Sequence, residues 1–135
     1  MKGIYILTIV LSKSTNIKVG ALGEIYFEKG IYAYVGSAQN NLEKRVQRHF
    51  KKDKKLRWHI DYLTTNKYAK AEKVYYKIAP KEEECKTAEY FAKNQSSIKN
   101  FGCSDCKCKS HLFKFKTEKN QIPKSFLLDA TNSSS

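Results

Sequence analysis

The feature that most constrains the fold is the unbroken apolar run from Gly3 to Leu11, GIYILTIVL. It is far short of the roughly 20 residues that cross a bilayer. Its β-branched content favours a strand over a helix. Side chains alternate along a strand, so Ile4, Ile6, Thr8 and Val10 share one face while Tyr5, Leu7 and Ile9 share the other. With apolar residues on both faces, the strand belongs in the middle of a sheet that is covered on both sides. The single early lysine and the lack of a small-residue cleavage site distinguish this run from a secretory leader.

The remaining elements follow from shorter patterns. Ile17-Lys18-Val19 starts another extended piece, and 24–27 and 31–36 read as strands joined by a turn at Glu28-Lys29-Gly30 into a hairpin. Asn40 or Asn41 can cap a helix whose buried stripe is Leu42, Val46, His49 and Phe50. A second helix carries Leu56, Ile60 and Leu63 inward, and 71–79 read as a strand ended by Pro80. A third helix opens on Glu82, Glu83 and Glu84 at its positive end, with Cys85, Ala88, Phe91 and Ala92 on its apolar face. Residues 111–116 alternate as a last strand. Together these predict an α/β (α+β) fold with a small, mostly antiparallel central sheet flanked by helices. A single domain is expected over 1–118, including a Cys-rich segment at 101–111, followed by an extension over 119–135 with a disordered polar end.

Charge narrows the partner. Twenty-six Lys and Arg against thirteen Asp and Glu leave a net charge of +13, and the isoelectric point is about 9.6. Such an excess concentrates polyanions near the surface, so the expected partner is nucleic acid, DNA before RNA, and not a membrane. Four cysteines in a chain without a leader point to thiols or a metal before disulfides, and to a cytoplasmic protein.

Several residues have the chemistry that phosphodiester cleavage needs. Tyr5 and Tyr34 sit on strand-like segments, and both point away from the apolar residues beside them. Gly36, on the same side as Tyr34, leaves room for a phosphate or a side chain. Arg45 and His49 share one ridge of the following helix. A guanidinium there can grip a phosphate at two points, and His49 reads equally as a proton relay or as a buried histidine with a structural partner. His59 faces inward and could orient Tyr5 or a water, whereas Asp61 and Trp58 read as structural. Arg48, Lys51 and Lys52, at the end of that helix and in the basic link after it, are candidates for contacts to a nucleic-acid backbone.

Taken in order, the Gly-Ile-Tyr at 3–5, the Tyr-Val-Gly-Ser-Ala at 34–38 and the Leu-Glu-Lys-Arg-Val-Gln-Arg-His-Phe at 42–50 resemble the GIY-YIG nuclease superfamily. Three further stretches, Trp58-His59-Ile60-Asp61-Tyr62-Leu63, Glu84-Cys85 and 101–113, are similar to its DUF123 branch. The resemblance implies a metal-dependent endonuclease in which a helix after the core sheet supplies a glutamate for Mg²⁺ or Mn²⁺. Glu84 fits that position, with Glu89 as its rival. Tyr-Val-Gly in place of Tyr-Ile-Gly is a mild departure, and the late asparagine of other branches is not found in its place, with Asp105 the candidate substitute.

The Cys103-x2-Cys106-x-Cys108-x2-His111 cluster offers three thiols and an imidazole, enough for a tetrahedral Zn²⁺; buried free thiols or a disulfide are the alternatives. Beside the endonuclease reading stands a non-catalytic, basic nucleic-acid-binding module on the same scaffold. The two differ in whether divalent metal produces turnover.

Overall fold

The protein is described here by a computed structural model covering residues 2–102, 108–116 and 122–128. In chain order the elements are β1 (Gly3–Leu11), β2 (Thr15–Lys18), a short 3-10 turn, β3 (Glu24–Phe27), β4 (Gly30–Ala38), α1 (Leu42–His49), α2 (His59–Thr64), β5 (Ala69–Lys77), α3 (Glu82–Asn94), β6 (Ser96–Ser97), β7 (Leu112–Lys114) and β8 (Leu127–Leu128). Six strands form one antiparallel sheet in the order β6-β7-β4-β1-β5-β8, and β2 pairs with β3 in a separate ribbon. This is the α+β arrangement expected from the sequence.

The apolar run becomes an inner strand, as its two-sided pattern requires. Tyr5, Leu7, Ile9 and Leu11 face one core with Leu42 and Val46 of α1, Ile60 and Leu63 of α2, and Phe27. Ile4 and Ile6 face the other with Ala33, Val35, Phe113 and the Ala88 and Phe91 of α3. The Phe91 and Phe113 rings stack at 5.6 Å. Each of these fully buried aliphatic side chains contributes roughly 1.5–3 kcal/mol relative to exposure. Phe126 closes the α3 side, and β8 pairs with Tyr75 and Tyr76 of β5, so the segment read as an extension returns to the sheet. No described helix is long and apolar enough to cross a membrane.

Two expectations are corrected. The turn at 28–30 does not close a hairpin: β3 pairs back with β2, and β4 pairs along its whole length with β1 and also with β7. The physical reason is burial, because the nine residues of β4 gain far more apolar contact beside β1 than in a two-stranded ribbon. The second helix does not reach Leu56, which is 48% exposed. Asp61 accepts hydrogen bonds from the Arg57 and Trp58 amides, at 2.9 and 3.0 Å, and so caps the helix at His59.

The link between the helices is tied down by lysines. Lys52 Nζ donates to the Thr64 and Asn66 carbonyls, both at 2.9 Å, and to that of Ala69, holding the carbonyl end of α2. At the start of α1 the Asn41 carboxamide oxygen accepts from the Lys44 amide at 3.1 Å, the cap anticipated from the sequence.

Candidate active site

Strand register sets the geometry of the site. β1 and β4 run antiparallel with Tyr5 opposite Gly36 and Leu7 opposite Tyr34. Tyr5 and Tyr34 are therefore diagonal neighbours on one sheet face, with ring centroids 6.4 Å apart. Gly36 makes this packing fit, since a β-carbon there would lie 2.5 Å from both the Tyr5 ring and its hydroxyl. The space left by Gly36 is occupied by Tyr5.

The Tyr5 hydroxyl meets His49 Nε2 at 2.6 Å. Both groups are buried, and burial shifts them in opposite directions. The phenol is held well above its usual range, first by burial and then by Tyr34, against an opposing pull from Arg45. The His49 imidazole is pushed down to about 3 by burial and the nearby Lys54. At neutral pH the pair is a protonated phenol hydrogen-bonded to a neutral imidazole. His49 does not line the cleft; it stands behind Tyr5 and touches its hydroxyl.

Arg45 reaches the same place from α1. Its Nη1 donates to the Ser37 carbonyl at 3.1 Å, and its Cζ lies 4.4 Å from the centre of the Trp58 ring. The guanidinium is thus anchored on one edge and one face while still lining the cleft. Trp58 also carries the Arg48 guanidinium at 4.5 Å. Arg48 has a second engagement, a two-pronged bond to the buried Asp61 carboxylate at 2.7 and 2.9 Å, with Nη2 also donating to the Lys55 carbonyl. Burial alone would raise the Asp61 carboxyl, but the Arg48 bonds and the two backbone amides outweigh it and hold the group below its usual range. Of the three candidates for backbone contacts, Arg48 and Lys52 are held by protein partners and Lys51 is exposed.

The other histidines have assigned tautomers. His59 Nδ1 accepts from the Gly102 amide at 2.8 Å, so the neutral ring carries its proton on Nε2 and can act as a donor in the cleft. His111 shows the opposite polarity. Its Nδ1 lies 3.1 Å from the Val35 carbonyl, which can only accept, so Nδ1 bears the proton and the lone pair is on Nε2.

Tyr5, Tyr34, Arg45, His59, Glu84 and His111 all line one open cleft of about 590 Å³. Glu84, in the first turn of α3, is half-buried there, whereas Glu89 is exposed and lines a smaller cavity with Ala88, Ala92 and Cys108. Cys85, next to Glu84, is joined to Cys108 as a disulfide with Cα atoms 6.0 Å apart. Cys103, Asp105 and Cys106 lie outside the described residues. Two members of the cleft had no such role in the sequence reading. His111 reads in the sequence as a zinc ligand and the start of a strand, and its register beside Val35 turns it towards the cleft. Ser37 belongs to the 34–38 motif, and its carbonyl holds Arg45.

A family model described as "Domain of unknown function DUF123" matches residues 4–132. No curated protein and no solved structure matches the chain.

Proposed function

The chain belongs to the DUF123 family, and from that premise we propose that it is a divalent-metal-dependent endonuclease hydrolysing phosphodiester bonds in nucleic acid, DNA before RNA. The single observation that carries this reading is the convergence of Tyr5, Tyr34, Arg45, His59 and Glu84 on one open cleft in a strongly basic chain. The likeness of its motifs to those of GIY-YIG nucleases supports the same chemistry.

In this reading the scissile phosphate lies against Arg45. The guanidinium, held in place by Ser37 and Trp58, offsets charge as it builds on the phosphoryl oxygens. The His59 Nε2–H donates to a second oxygen or to the attacking water. Tyr34 orients that water. Tyr5 accepts its proton while passing its own to His49 Nε2, along the 2.6 Å contact. His49 is a weak base in the free protein; the negative charge of a bound polyanion raises its proton affinity and switches on the relay. Glu84 is the carboxylate for a hard divalent cation, which needs only one or two such groups when water and substrate phosphate complete its shell. Such a cation, held by Glu84, would supply polarisation of the phosphate and assistance to the leaving oxygen.

The test is a nicking assay on duplex, branched and single-stranded DNA, and on RNA, with and without Mg²⁺. The proposal expects Mg²⁺-dependent cleavage that is lost in an Arg45→Ala, Glu84→Gln double variant. Equal residual cleavage by wild type and double variant would sink it. Salt-sensitive binding without turnover, unchanged by Glu84→Gln, would favour the non-catalytic module instead.

A further inference from the structure

We infer that Cys85, Cys108 and His111, in the thiol state of the chain, form a binding site for a soft divalent metal such as Zn²⁺. Their ligand atoms all lie within 4.8 Å of one another. The donors of a tetrahedral thiolate–imidazole zinc site are separated by roughly 3.5–3.8 Å, so small side-chain rotations suffice to close the tripod. The donor set suits a borderline-soft cation and is wrong for Mg²⁺, which separates this site from the hard-cation chemistry at Glu84.

His111 distinguishes a metal site from a simple cross-link. Beside the two sulfurs lies the buried His111, which adds an imidazole donor to the two thiols. Its Nδ1–H bond to the Val35 carbonyl fixes the ring and places the lone pair on Nε2, the arrangement by which metal-bound histidines are oriented. Both cysteines are half-buried, so an ion can reach them from solvent. Among the described residues three ligands converge, and water or an anion completes the tetrahedron.

The ligand set differs from the one that sequence spacing suggests, because it takes Cys85 from α3. It therefore ties the turn carrying Glu84 to the segment leading into β7, which packs against Val35. Opening the disulfide consumes two electrons and two protons; a trialkylphosphine supplies the electrons, and one water supplies the two protons and the oxygen of the phosphine oxide that forms. Metal binding then releases the two thiol protons to solvent.

The experiment titrates Co²⁺ and then Zn²⁺ into the full-length chain reduced with a trialkylphosphine, following the thiolate-to-cobalt charge-transfer band. One equivalent should bind with such a band, and Zn²⁺ should displace it. Cys85→Ser should weaken binding at least about tenfold, while a Cys103→Ser, Cys106→Ser double variant should bind like wild type. Circular dichroism of each variant confirms that the fold is retained. The inference is overturned if no sulfur-to-metal band develops, if Cys85→Ser binds as wild type does, or if the double variant alone loses the metal. The readout does not depend on cleavage, so its failure leaves the nuclease reading untouched.

Discussion

Tyr5 occupies the space that a side chain at residue 36 would need, with its hydroxyl turned onto His49. A methyl group at Gly36 would sit 2.5 Å from the phenol ring, closer than any real β-carbon contact. Tyr5 is buried, so its ring must shift to admit the methyl group. Gly36→Ala is expected to destabilise the protein by about 1–3 kcal/mol through overpacking. In a Tyr5→Leu background the same change should have a much smaller effect, giving a clear coupling term in a double-mutant cycle read by urea unfolding. Additive effects would show that the clash is relieved elsewhere.

The Arg48–Asp61 pair is expected to act on stability. Asp61 is fully buried and collects two guanidinium bonds and two backbone amides. Asp61→Asn removes the charge that Arg48 needs and, with its oxygen kept on the two amides, turns the acceptor facing Arg48 Nη1 into a donor. The expected loss is about 2–4 kcal/mol in denaturant unfolding. Lys51→Ala, on an exposed residue, should stay within about 0.5 kcal/mol of wild type. A neutral Asp61→Asn would mean that the Arg48–Asp61 charge pair does not hold this part of the fold together.

Much of this architecture is legible in the chain because it rests on local patterns. The two-sided apolar run specifies an inner strand, Asn41 caps α1, and three glutamates mark the start of α3. What failed was decided by partners far away in sequence. The turn at 28–30 looks like a hairpin, yet β4 finds nine partners on β1. Leu56 continues a helical spacing, but Asp61 takes up the amides at Arg57 and Trp58 and starts the helix after it. The cleft was legible only in part. Tyr5, Tyr34 and Arg45 sit in an ordered motif, whereas the approach of Cys85 to Cys108 and His111 brings together residues that no short spacing connects.

The choice between two glutamates gives a direct test of the cleft. Five residues along a helix turn the side chain by roughly 140°, so Glu84 and Glu89 cannot share one site. Glu84 lines the cleft with Tyr5 and Arg45, while Glu89 lies on an exposed face beside the smaller cavity. Glu84→Gln should abolish Mn²⁺ binding by calorimetry in the presence of a non-cleavable duplex. Glu89→Gln should leave the affinity within about twofold, as expected of a surface change. The opposite result would move the cation to the far side of α3.

His49 makes stability depend on pH in a defined window. Its folded-state pKa is lowered from 6.5 to about 3 by burial. Below 6.5 the unfolded chain takes up a proton that the folded chain refuses, so stability is fully present above that pH and is lost as the pH falls towards 3. The whole shift corresponds to roughly 4–5 kcal/mol, and between pH 7.5 and 4.5 about 2–3 kcal/mol of it should disappear. His59, also lowered by burial, acts in the same direction, so the informative quantity is the difference between proteins. Asp61 lies outside the window, because a carboxyl held below its ordinary value of 3.8 loses its contribution only at lower pH. Urea unfolding at the two pH values should show wild type losing about 2–3 kcal/mol more than His49→Gln. Equal losses would mean that His49 accepts a proton freely in the fold. In that case His49 would already be basic enough to take the Tyr5 proton without a bound polyanion, and the switch proposed for the relay would have to be abandoned.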